Sequence, residues 1–181
     1  WETDVLRDAA EGVLRIPTMQ AGKGQVLLAR LDGDRVTHFS SIVDLKLTAG
    51  NAVRERVELR PAVRIEGVLS EQVPRPVKNG RVKVHTLQDE QFDNGVDWFT
   101  WAPIAEDGTF AVESWPAGEA IQVTALCEGY IAASGRAPAV VKNLRDPDLY
   151  YRPQVFLPEA YGQRVTIMMS PLVRCEVETV D

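Results

Sequence analysis

"DGTFAVESWPAGEAIQVTALCEG", residues 107–129, aligns without a gap on "EGVLRIPTMQAGKGQVLLARLDG", residues 11–33. Gly108 falls on Gly12, an offset of 96 residues (108 − 12). At the same offset Ala117-Gly118 falls on Ala21-Gly22, Ala125 on Ala29 and Gly129 on Gly33. The apolar positions coincide as well, Val112 with Ile16 and Val123 with Leu27. Within 121–127, Ile121, Val123, Ala125 and Cys127 alternate with Gln122, Thr124 and Leu126. A period of two places one set of side chains on a packed face and the other on a wet one, which is the pattern of a half-buried strand.

The same alternation recurs elsewhere. Val43, Leu45 and Leu47 oppose Asp44 and Lys46; Val82, Val84 and Thr86 oppose Arg81, Lys83 and His85; Val173, Cys175 and Val177 oppose Arg174, Glu176 and Glu178. Turn signals separate these runs: Asp32-Gly33, Ala49-Gly50-Asn51, Lys78-Asn79-Gly80, Asp107-Gly108, Pro116-Ala117-Gly118 and Glu128-Gly129. Gly and Asn tolerate the positive φ that tight hairpins require. Helical periodicity is weak, with one short helix-like stretch at 4–11. Many short strands with frequent turns predict an all-β sandwich or barrel.

A second echo fixes the period. "RPAVRIE" (60–66) resembles "SPLVRCE" (170–176), at an offset of 110 (171 − 61). The growth in offset implies an insertion after Tyr130, for which the Pro-rich stretch 136–158 is the natural place. A period near one hundred residues fits a whole sandwich unit. The phase predicts a partial unit over 1–60 (later strands only), a complete unit over 61–170 and the first strand of a following unit over 171–181. The partial unit is expected to pack on the complete one, or to take a missing strand from 172–180 in cis or from a neighbour.

The stretches "VRIEGVLSEQVPRPVKNGRVKVHT" (63–86) and "EDGTFAVESWPAGEAIQVTALCEGY" (106–130) resemble the carboxypeptidase regulatory-like domain, a transthyretin-like, or prealbumin-like, Greek-key sandwich of broadly immunoglobulin-like build. The residues that carry the resemblance are Gly67-Val68, Pro76-Val77, Gly80, Val82 and Val84, then Asp107-Gly108, Phe110, Pro116, Gly118, Ala125 and Gly129-Tyr130. Gly80 stands where the family usually has Ala, and 88–106 reads as a long, aromatic-rich connection. The resemblance implies structural roles for Gly12, Gly22, Gly33, Gly67, Asp107, Gly108, Phe110, Pro116, Gly118, Gly129 and Tyr130. It also implies a secreted or cell-envelope setting. Fold alone does not fix function.

Composition narrows the functions. The chain has 181 residues, with 45% apolar and 25% charged residues and a net charge of −6. An acidic chain is poorly suited to nucleic acid, whose binding needs clustered Lys and Arg. No apolar run reaches the roughly 18 residues that predict a membrane-spanning helix. His38 and His85 have no His or Cys at ligand spacing, so neither a metal nor another cofactor is expected. His85, beside Arg81 and Lys83, reads as a solvated surface histidine. Cys127 and Cys175 fall on apparent core positions, matching Leu31 and Ile65 in the earlier copy. A reactive thiol needs an exposed, electropositive setting. No nucleophile elbow or phosphate-binding loop is present.

The expectation is a non-catalytic structural or interaction module whose partners are neighbouring repeats, a protein or a glycan. The stretch "QDEQFDNGVDWFTW" (88–101) is the best binding candidate. Trp98 should face opposite to Phe99 and Trp101, so one side presents an aromatic surface suited to a sugar ring. Phe92, Asp93 and Asp97 complete the candidate set, and the carboxylates of Asp89, Glu90, Asp93 and Asp97 are oxygen ligands of the type Ca²⁺ takes, without EF-hand spacing. A third reading is an accessory domain of a peptidase or hydrolase encoded in the same gene.

Overall fold

The computed structural model describes residues 14, 16, 21–87, 95–135 and 153–173, and they form an almost all-β molecule. The chain order is β1 (Gly22–Val26), β2 (Ala29–Asp32), β3 (Arg35–Phe39), β4 (Val43–Leu47), β5 (Arg60–Pro61), β6 (Val63–Leu69), β7 (Arg81–His85) and β8 (Phe99–Pro103). There follow β9 (Thr109–Trp115), β10 (Ile121–Cys127), β11 (Tyr130–Ala132), β12 (Gln154–Phe156), the short 3₁₀ helix Pro158–Ala160, β13 (Val165–Ile167) and β14 (Met169–Pro171).

Two sheets enclose the main core. One runs β14-β11-β10-β7-β8, with β12 also paired to β10; the other runs β13-β6-β9. The alternation read from the sequence sets the inner face. Val82, Val84, Ile121, Val123 and Ala125 are fully buried, and Ile65, Val112, Trp115 and Ile167 from the other sheet are buried in the same cluster. Removing such apolar surface from water is the main driving force for packing the sheets. Trp115 buries its polar edge at no loss, because Nε1 donates to the Glu119 carbonyl at 3.0 Å. Gln154 is buried too: its amide donates to the carbonyls of Ala133 and Met168 at 3.0 and 2.7 Å and accepts from Met168 N at 2.9 Å. A buried amide is tolerated when paired in this way.

The hairpin that links the sheets is built by three of the motif residues. Gly108 has φ +85°, and the Asp107 carboxylate accepts from Thr109 N and Oγ1 at 2.9 and 2.7 Å. Those two donors hold the Asp107 carboxyl below its ordinary pKa. Phe110 then enters the core over Gly67, where a Cβ would collide with its ring. Gly129 (φ +77°) closes the β10–β11 turn, and Gly33 (φ +60°) closes β2–β3. Tyr130 is half-buried against the core.

The remaining motif glycines vary in backbone conformation. Gly118 carries no positive φ and has open space at its Cβ position, whereas the aligned Gly22 has φ +135°. The Asn79-Gly80 pair takes its left-handed residue at Asn79 (φ 53°). Gly80 is required instead by space, since a Cβ there would lie 2.7 Å from Ile104 Cβ. Gly12 lies outside the described residues.

The smaller sheets are β1-β4 and β2-β3-β5, and some of their pairings can be set beside those of the large one. Gln25 faces Asp44 and Val26 faces Val43; at the 96-residue offset Ile121 faces Phe156 and Gln122 faces Val155. In each case a hairpin partner follows and a third strand ends at the echoed proline, but the register differs: Pro61 lies opposite His38 and Pro171 opposite Tyr130, whereas the 96-residue offset sets His38 on Ser134. The scheme differs in that β1 and β2 together stand where β10 is one unbroken strand.

The boundaries at 60/61 and 170/171 both fall within a strand, β5 and β14, and Pro171 pairs with Tyr130 in the large sheet. Val173 is 91% exposed and Leu31 is 52% exposed, so neither is a core position as expected, while Cys127 is 4% exposed. Burial pushes the Cys127 thiol up in pKa, away from reactivity. Cys175, the stretch 4–11 and the insertion's 136–152 lie outside the described residues.

Candidate functional site

The stretch 88–106 is not simply a loop, because its second half is β8, paired antiparallel with β7. Buried Thr86 anchors the approach: its Oγ1 donates to the Val96 carbonyl at 3.0 Å and accepts from Trp98 N at 3.1 Å. Alternation then turns Trp98 inward, where it meets Phe39 edge-on at 5.3 Å between ring centroids. Trp98 Nε1 is buried without a hydrogen-bond partner among the described residues.

Phe99 and Trp101 point the other way, 48% and 55% exposed. Register across β10, β7 and β8 sets them in rungs on the outer face: Gln122–His85–Phe99, Thr124–Lys83–Trp101 and Leu126–Arg81–Pro103. Adjacent strands stand about 4.8 Å apart, so each rung is a contiguous strip. The Lys83 ammonium lies 4.3 Å from the Phe99 ring centroid, within cation–π range. His85 is half-buried, not the freely solvated residue its polar neighbours suggested. Burial, with the Lys83 charge second, lowers its pKa below the ordinary imidazole value.

The candidate residues therefore separate. Trp101 shares a face with Phe99, Trp98 belongs to the interior, and Asp97 is exposed. Phe92 and Asp93, with Asp89 and Glu90, lie outside the described residues. No group of three or more His, Cys, Asp or Glu side chains suited to a metal occurs among the described residues. Arg81, Lys83, Gln122, Thr124 and Leu126 were not in the candidate set. Their outward direction follows from alternation, but their placement beside Trp101 depends on β7 lying between β8 and β10.

No family model, no curated protein and no solved structure matches the chain. Among the described residues no helix is long and apolar enough to cross a membrane.

Proposed function

We propose that the chain is a non-catalytic structural and interaction module, built from tandem transthyretin-like Greek-key units of the carboxypeptidase regulatory-like kind. The observation that carries this reading is the strand-pairing scheme that recurs at the sequence offset, with β1–β4 matched by β10–β12. A secreted or envelope setting follows from the resemblance. Amide-resolved hydrogen exchange tests the reading. Slow amides in the paired registers of both 22–47 and 121–156 are expected. Fast exchange throughout 22–47 beside slow exchange in 121–156 ends it.

The exposed rungs favour a second reading, a glycan-binding face. Trp101 and Phe99 offer π-faces on one side of the sheet, and Arg81, Lys83 and Thr124 supply donors. Two cations in this setting suit an acidic, uronate-bearing glycan better than a neutral one. On a glycan array, retention of acidic over neutral chains is expected, with loss of at least tenfold in affinity for Trp101→Ala at unchanged melting temperature. Equal retention by the wild type and by Trp101→Ala sinks this reading.

A further inference from the structure

β8 is an edge strand of the large sheet, with β7 as its neighbour. Thr86 N donates to the Trp98 carbonyl at 2.9 Å and Ile104 N to the Gly80 carbonyl at 3.0 Å. That phase turns the N–H and C=O groups of Thr100 and Ala102 toward β7, and those of Phe99 and Trp101 away from it. The outward groups have no hydrogen-bond partner among the described residues. Beyond them the edge closes. Pro103 has no N–H, Ile104 bridges to Phe110 of β9, and Ala105 N donates to the Thr109 carbonyl at 2.8 Å.

Sheet edges are normally blunted by charged side chains, proline or a bulge. Along β8 the sequence "FTWAP" (99–103) holds no charge, and its proline stands only at the far end. Phe99 and Trp101 are exposed strand formers. The open stretch is self-complementary. A two-fold axis at Thr100 sets Phe99 opposite Trp101 of a second copy, and each such pair exchanges both of its main-chain bonds. Thr100 then faces its own counterpart, a favourable cross-strand pair. An axis at Trp101 would instead set Phe99 opposite Pro103, which has no N–H to give. The Thr100 register also places Asp97 opposite Pro103 of the second copy, and Arg81 is the next residue along that rung. Alternation puts Asp97 and Arg81 on the outer face; both are exposed, and neither has an ion pair among the described residues.

We propose that β8 pairs antiparallel with β8 of a second copy of this chain, about a two-fold axis at Thr100. The large sheets of the two copies then join edge to edge. Main-chain bonds supply affinity, and Asp97 of each copy, paired with Arg81 of the other, fixes the register. Both copies use the same edge, so the contact is isologous, consumes the open groups and closes at a dimer. The exposed rings of Phe99 and Trp101 from both copies line one strip across the joint. The pairing depends on neither the tandem scheme nor a bound glycan.

Sedimentation equilibrium and amide exchange, each on the full chain with reductant present and at micromolar and near-millimolar concentration, are the test. The mass is expected to rise with concentration and to level off at two chains. The amides of Phe99 and Trp101 are expected to slow as the dimer forms, while those of Thr100 and Ala102, bonded to β7, stay slow throughout. Phe99→Pro removes an outward N–H and leaves the β7 ladder whole, as an edge strand tolerates. It should weaken the dimer about tenfold or more, with the Thr100 amide still slow. Asp97→Arg and Arg81→Glu, both at exposed positions, should each weaken the dimer, and the two together in one chain should restore it. A chain that stays single at every concentration, a dimer that Phe99→Pro leaves intact, or charge reversals without mutual rescue each overturn the proposal. Slow Phe99 and Trp101 amides in a single chain would assign the edge to a segment of the same chain, which overturns it too.

Discussion

At the residue scale, Gly67 and Phe110 form one packing unit. Gly67 has no positive φ, so its requirement is steric and not conformational: the Phe110 ring occupies the space of a Cβ. Gly67→Ala should destabilise by about 1–3 kcal/mol, the usual cost of overpacking a core. In a Phe110→Leu background the same change should cost close to nothing, and urea unfolding of the four variants measures that coupling. An unchanged cost in both backgrounds would refute the steric account. His85 carries a second prediction at this scale. Its folded-state pKa lies below the ordinary imidazole value of 6.5, mainly through burial. The unfolded chain therefore binds a proton that the folded chain resists. The neutral-histidine contribution is full above pH 6.5 and is lost as pH falls through the folded-state pKa. Wild-type melting temperature should fall between pH 7.5 and 5.5 by more than that of His85→Gln. Equal falls would place the pH dependence on other groups.

At the element scale, alternation was a reliable guide where a strand is covered on one face. Val43, Leu45 and Leu47 are half-buried against exposed Asp44 and Lys46, and β7 and β10 follow their expected faces except at Gln122, which is buried. It fails where no described residue covers the face: Leu31 shares the phase of Cys127, yet it is 52% exposed among the described residues. β8 was hidden for a different reason. Phe99 and Trp101 put aromatic residues on the wet face, so the segment does not display apolar-in, polar-out patterning and reads as a connection. Only the β7 pairing makes it a strand. Of the candidate face, the opposition of Trp98 to Trp101 could be read along the chain. The rungs that set Lys83 and Thr124 beside Trp101 are long-range and left no local signal. Arg75 was equally hidden: its guanidinium donates to the carbonyls of Val73, of Asp107 at 2.8 Å and of Leu69 at 2.9 Å, clipping the loop after β6 to the β8–β9 turn. A lone arginine between two prolines carries no pattern that announces this.

At the scale of the whole molecule, the question is whether the first sheets and the sandwich fold as one body. Their joint has an apolar centre and a polar rim. Phe39 is 2% exposed and sits against Trp98, which packs in turn on the main core. Around it Ser114 Oγ donates to the Val36 carbonyl at 2.7 Å, Ile42 N donates to the Glu119 carboxylate at 3.0 Å and Val96 N donates to the Gln25 side-chain carbonyl at 3.2 Å. Each neutral hydrogen bond contributes about 0.5–1.5 kcal/mol. Truncating a buried Phe to Ala costs about 3–5 kcal/mol. Phe39 therefore outweighs any single rim bond as the coupling between the two parts. Phe39→Ala should split denaturant unfolding into two steps, because parts that lose their shared contacts open as separate cooperative units. Tryptophan fluorescence, to which Trp98, Trp101 and Trp115 of the sandwich contribute, should then keep a late midpoint while far-UV circular dichroism gains an early phase from β1–β5. Ser114→Ala, which removes one rim donor and leaves Phe39 in place, should lower a single shared midpoint. If Phe39→Ala instead keeps both probes coincident at a lower denaturant concentration, the coupling resides in the continuous backbone from β5 into β6, and the aromatic contact only adds stability to it.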